Sequence, residues 1–183
     1  MERERVRDKV TAAIARLLKN DTHLLKVDVN ERSITHRLAS YLQEEFGGWD
    51  VDCEYNRNRE DTKQLRVSKE FNILVGNVQT DVDDTQARTV FPDIIVHRRK
   101  TDKNLLVIEV KKTTSQVSND FDLWKLCEFK LQLGYRHALF LKLTTGCDDT
   151  VDVEQEIWVE EEDCERLRQT LRHRGLDRVV KCD

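Results

Sequence analysis

Residues 91–112, FPDIIVHRRKTDKNLLVIEVKK, set two aliphatic runs around a basic turn, and each run carries a carboxylate, Asp93 and Glu109. An isolated ionised carboxylate is costly to take out of water, so each acid needs a partner or a ligand. If both runs are strands, side chains alternate between faces. Asp93 then shares a face with Phe91 and Ile95, and Glu109 with Val107 and Lys111. A hairpin centred near Thr101 places residues whose numbers sum to 202 opposite one another, which makes Asp93 the cross-strand neighbour of Glu109. Like charges directly opposed are destabilising, so the pair calls for a cation. Lys111 is one candidate. A divalent metal is the other, because Mg2+ takes one or two carboxylates and completes its shell with waters and substrate phosphate oxygens. The plain alternative is a buried Asp–Lys–Glu ion network, with Lys112 and the loop bases as further partners.

The 183 residues are expected to form one domain, 1–183, large enough to bury most of the surface of the unfolded chain. No apolar run approaches the ~20 residues of a membrane span. The first ten residues, MERERVRDKV, alternate charges and lack the apolar stretch of a signal peptide. A cytoplasmic protein with no membrane partner is the expectation. The cysteines at 53, 127, 147, 164 and 182 show no zinc-ligand spacing, so free thiols are expected. The net charge of −4 is unevenly spread: residues 147–165 hold ten acids and no base, leaving +6 on the rest. A basic face beside an acidic edge is compatible with phosphate binding, without establishing it.

Along the chain, Val6, Val10, Ile14 and Leu17 make one helical stripe. Asn30 is placed to cap a second helix, with Ile34, Leu38 and Leu42 inward and Gly47-Gly48 ending it. Residues 49–57 alternate as a strand. The polar stretch 58–90, around one apolar patch FNILV, reads as an insertion or mobile loop. After the two acid-bearing strands come a helix over 118–133, an almost wholly apolar strand HALFLKL, a short strand EIWVE and a last helix from about residue 160, with Leu167 and Leu171 inward and Gly175 as its stop. The order α, α, β, insertion, β, β, α, β, β, α predicts an α/β fold with a mixed sheet flanked by helices. Glu31 stands one turn before Ile34, on the core-facing stripe; favourable interaction with the helix N-terminus would alone account for an acid there.

Pro92-Asp93, then fifteen residues, then Glu109-Val110-Lys111 resembles the signature of the PD-(D/E)xK, or restriction-endonuclease-like, nuclease superfamily. The order α-β-β-β-α-β from Glu31 to Leu143 resembles the core of that superfamily and covers about two-thirds of the chain. The first helix and the C-terminal strand and helix lie outside it. The resemblance implies a restriction-endonuclease-like core in which Asp93, Glu109 and the Val110 carbonyl bind Mg2+, with Mn2+ able to substitute. Glu31 would reach the metal directly or through water. Lys111 would stand beside the attacking water, helping to deprotonate it or stabilising charge on the scissile phosphate. The implied activity is metal-assisted phosphodiester hydrolysis, most readily by a DNA endonuclease. Two looser likenesses concern the next helix. Gln132-Leu-Gly-Tyr135 resembles a Q-x-x-x-Y element one residue short, and Asp122-Leu-Trp-Lys125-Leu resembles a D-x-x-K-L pattern in which the lysine could face the active-site edge, though ordinary surface charges around a Trp124/Leu126 core contact would read the same.

Lys112, Arg57, Lys125 and Gln132 are the candidate nucleic-acid contacts. His97, Arg98, Arg99, Lys100 and Lys103 could also neutralise phosphates, but a hairpin tip can point away from the catalytic end. No separate DNA-reading module is visible, so specificity would come from the 58–90 insertion, a homodimer or a protein partner. The competing readings are a non-catalytic nucleic-acid- or protein-binding module on the same fold, and an acidic interaction protein using 147–165.

Overall fold

The computed structural model describes residues 1–55, 57–58, 61–62, 64–65, 88–89, 91–147, 150–167 and 169–170. The architecture is three-layered, with helices on both faces of a five-stranded mixed sheet. The strands are β1 (Asp50–Cys53), β2 (Ile94–His97), β3 (Asn104–Lys112), β4 (His137–Leu143) and β5 (Val153–Trp158), lying side by side in that order. All neighbours are antiparallel except β3 and β4, which are parallel and joined through a helix, as a parallel pair requires.

One face of the sheet packs against α1 (Arg3–Asn20), α2 (Thr22–Lys26) and α3 (Glu31–Glu45). The stripes Val6, Val10, Ile14, Leu17 and Ile34, Leu38, Leu42 are buried, as their spacing predicts, against Ile94, Val96, Leu106, Ile108, Val110, Leu139 and Leu141. Asn30 caps α3, its Oδ1 accepting the Ser33 N–H at 2.8 Å. The five-residue α2 has too little periodicity to be legible in the sequence. The other face packs against α4 (Asp120–Leu133) and a C-terminal helix at 161–167, around Ile95, Val107, Ala138 and Phe140. Leu167 lies partly buried there. Strand β4 is covered on both faces, which explains its unbroken apolar run. α4 ends at Gly134, whose φ of 67° is the left-handed conformation that glycine adopts without strain.

The acid-bearing hairpin has the expected register: Ile94 faces Ile108, Ile95 faces Val107 and Val96 faces Leu106, each pair summing to 202. A bulge at Val96/His97 then shifts His97 opposite Asn104, and the turn passes through Lys100 at φ 61°. Within 58–90, the described backbone forms two short antiparallel pairs, Arg57–Asn58 with Asp61–Thr62 and Gln64–Leu65 with Arg88–Thr89. FNILV, Leu171 and Gly175 lie outside the described residues.

The expectation of five free thiols is corrected by a disulfide between Cys127 of α4 and Cys164 of the C-terminal helix, Cα atoms 5.3 Å apart. The residues are 37 positions apart, but both helices pack on the same sheet face, which brings them together. Cys53 and Cys147 are free, and Cys182 lies outside the described residues. Closing a loop of this length stabilises a fold by about 2–4 kcal/mol. Reduction with a phosphine should therefore lower the urea midpoint by a corresponding amount, and a C127S/C164S variant should show the lowered midpoint with or without reductant.

Candidate functional site

The site forms where β2 begins and β3 ends, between the N-terminal turns of α3 and α4. Pro92 precedes β2, where its missing N–H breaks no ladder bond. The Glu54 N–H, just past β1, bonds the carbonyls of Pro92 and Asp93 at 3.1 and 3.3 Å and fixes the entry to β2. Continuing the hairpin register by one residue brings Asp93 to Glu109. The Asp93 carboxylate accepts the Val110 N–H at 2.8 Å through Oδ2. Glu109 exposes 1% of its surface, and its Oε2 accepts the Lys125 ammonium at 2.5 Å. Its other oxygen, Oε1, is buried and accepts no hydrogen bond among the described residues.

Lys111 is 7% exposed, and its ammonium donates to Asp122 Oδ2 at 2.6 Å. Lys125 also lies 3.6 Å from Asp122 Oδ1. Glu31, the first residue of α3, reaches in from the other side and accepts the Lys112 N–H at 3.1 Å. Thus Asp93, Glu109, Lys111 and Glu31 lie at the same end of β2 and β3. Asp122 and Lys125 complete the cluster: of the two readings that Asp122-Leu-Trp-Lys125-Leu leaves open, Lys125 is turned toward the site and not to solvent. Their i, i+3 spacing on a helix apolar on nearly every side was the available signal.

Burial raises the pKa of Glu109 well above the usual range, and the charge of Asp93 raises it further. Burial likewise raises Asp93 against the lowering effect of Lys125 and the Val110 N–H. Glu31 is raised by burial and then by Asp93. Burial opposes the Lys125 charge, but Glu109, Asp93 and Asp122 outweigh it and raise the pKa. Cys53, pushed up to about 11 by burial and by Asp93, stays a neutral thiol beside the acids. A cavity of about 130 Å3 between α3 and β1 opens onto Glu31 and Asp93, with Thr35, His36 and Cys53 along its wall.

When all are ionised, Glu31, Asp93, Glu109 and Asp122 outnumber Lys111 and Lys125 by two charges. Oxygen donors with that excess suit a hard divalent cation. Oε1 of Glu109, which accepts no hydrogen bond among the described residues, is a position where such a cation would satisfy a buried oxygen. Among the described residues no three His, Cys, Asp or Glu side chains stand in a metal-holding arrangement. The donor types and the charge therefore fit a divalent cation, while the side chains are not gathered around one point.

Several expected contacts lie elsewhere. Lys112 Nζ is held by Asp28 Oδ1 at 2.9 Å and the Val29 carbonyl at 3.0 Å, so it anchors the entry to α3 and is not a surface phosphate contact. Lys125 is likewise an inward partner of Glu109. Gln132 bonds Glu128 at 2.5 Å and sits seven residues beyond Lys125, about 10 Å along the helix. Tyr135 is buried edge-on against Phe129. The side chain of Arg57 lies outside the described residues. Of the hairpin bases, His97 is buried on Asp52 at 2.8 Å, Arg99 pairs with Asp52, and Arg98 covers the Trp49 ring, all at the strand ends opposite Glu109 and Lys111. Val110 enters the site through its N–H.

No family model, curated protein or solved structure matches this chain. Among the described residues no helix is long and apolar enough to cross a membrane.

The raised carboxyls give a signed prediction. A carboxyl whose pKa is higher in the fold binds more protons there than in the unfolded chain, so its contribution falls as pH rises above the usual carboxylate range. Asp21 and Asp52, whose pKa values are lowered, act oppositely below that range. His137, whose pKa burial lowers, adds stability as pH rises through the imidazole range, so the test is a difference: between about pH 5 and pH 8, without divalent cations, the urea midpoint of Glu109→Gln should decline less, or rise more, than that of the wild type.

Proposed function

We propose that this protein is a Mg2+-dependent nuclease of the PD-(D/E)xK kind, hydrolysing phosphodiester bonds, with DNA the most fitting substrate and Mn2+ able to replace Mg2+. The observation that carries the reading is the placement of Asp93, Glu109, Lys111 and Glu31 at one end of β2 and β3, with a charge excess of two and a buried carboxylate oxygen that accepts no hydrogen bond among the described residues. The metal would be held by Asp93 and Glu109, with the Val110 carbonyl, and by Glu31 directly or through water. A bound divalent cation lowers the pKa of water and offsets charge on the phosphorane.

The chain's own groups would do the rest. The Val110 N–H holds one oxygen of Asp93 and Lys125 holds one oxygen of Glu109, so both carboxylates are oriented before a ligand arrives. Asp122 keeps the Lys111 ammonium inside the site, where it would take up negative charge on the phosphate or favour loss of a proton from the attacking water. Double-strand cleavage would need a second copy or successive cuts, and specificity could be supplied by a protein partner.

A second reading is a non-catalytic binding module on the same architecture. It is favoured by one observation: Glu109, Lys125, Asp122 and Lys111 already form a continuous chain of ion pairs. Cleavage of plasmid and single-stranded DNA, with Mg2+, Mn2+ or EDTA, separates the two. Cutting that needs metal and falls about 10²–10⁴-fold in Lys111→Ala is the expected result. Absence of both cutting and calorimetric metal binding would leave the binding-module reading.

A further inference from the structure

The three acids of the site share one arrangement. Glu31 has Oε2 tied to the Lys112 N–H, Asp93 has Oδ2 tied to the Val110 N–H, and Glu109 has Oε2 tied to the Lys125 ammonium. Two of the ties are backbone groups of β3, fixed by the sheet. The third is a side chain that has to be held in place by something else. Lys125 is held on three sides: Glu109 Oε2 at 2.5 Å, Asp122 Oδ1 at 3.6 Å, and the Phe121 ring, whose centroid lies 5.4 Å from the ammonium. Asp122 in turn carries Lys111 on its other oxygen at 2.6 Å.

We infer that Lys125 is a positioning residue for the metal: by fixing Glu109 Oε2 it leaves Oε1 as the single oxygen that this buried carboxylate presents to a divalent cation. The inference rests on the nuclease reading above and extends it to a residue outside the D…ExK pattern. An ammonium beside a metal ligand also repels the metal, so the opposite outcome is physically open: a lysine that merely occupies the metal's place would, once removed, tighten metal binding. The geometry favours positioning, because Lys125 takes one oxygen and the other accepts no hydrogen bond among the described residues. Asp122 links the two functions, since the same carboxylate holds the lysine that orients Glu109 and the lysine expected beside the attacking water.

The test is Mn2+ binding by calorimetry without nucleic acid, on the full chain. Partners that orient a ligating carboxylate change metal affinity about 10–100-fold. Lys125→Met should weaken Mn2+ binding by that factor, and Lys125→Arg, which keeps the charge, should restore most of it. In a Glu109→Gln background, adding Lys125→Met should change affinity less than about twofold, because the residue acts through Glu109. This pair also serves if Lys125→Met alone fails to fold, since replacing both members of a buried ion pair is far better tolerated than removing one. Equal or tighter Mn2+ binding by Lys125→Met, or a further loss in the Glu109→Gln background, would overturn the inference and leave the nuclease reading standing. A wild-type protein that binds no Mn2+ would overturn both.

Discussion

A carboxylate at the middle of a sheet, shut away from water on both sides, sets the terms for everything near it. Glu109 sits in the strand that has neighbours on both edges and helices on both faces. Its charge is tolerable only because Lys125 reaches across from α4, and Lys125 is itself tolerable only because Asp122 and Glu109 flank it. Removing any one member leaves an uncompensated buried charge, which costs far more than the intact pair contributes. The cluster is therefore weak as a source of stability and strong as a constraint on geometry. It fixes the rotation of α4 about its axis and its height along β3.

The same constraint explains the composition of α4. Trp124, Lys125, Leu126, Cys127, Glu128 and Phe129 are all buried, so the helix has no continuous solvent face over its middle turns. It packs on β3 and β4, bonds to the C-terminal helix through Cys127–Cys164, and lies against the short strand Gln64–Leu65. A segment inserted between β1 and β2 and the C-terminal helix thus meet on the helix that carries two of the site's charges.

How far the sequence carried the structure depends on where its signals were local. The α3 stripe, the Asn30 cap, the hairpin register and the fully covered β4 each follow from periodicity or turn geometry over fewer than about twenty residues. The Asp93–Glu109 pairing was legible for that reason. The partnership of Lys125 with Glu109 and of Asp122 with Lys111 was not, because it depends on the packing angle of α4, and charges on a helix read by default as solvated. Lys112 misled in the opposite way: a lysine after the signature looks like a phosphate contact until Asp28, at φ 52°, bends the chain back to take its ammonium. The disulfide escaped notice because a spacing of 37 residues carries no signal until the two helices are placed on one face.

The acidic run 147–165 has a place in the fold as well as a composition. It includes β5, the outer strand of the sheet, whose Glu154, Gln155, Glu156 and Ile157 are exposed. An open strand edge is a template on which another strand can add, and a natural sheet blunts it with charge. At the opposite border, the Gln43 side chain accepts the Val51 N–H of β1 at 3.0 Å and occupies that edge directly. The two margins are thus treated differently, one occupied by a hydrogen bond and one lined with charged side chains. Acid or concentrated salt would weaken the charge that lines the β5 edge, whereas the hydrogen bond that occupies the β1 edge carries no net charge to titrate or screen.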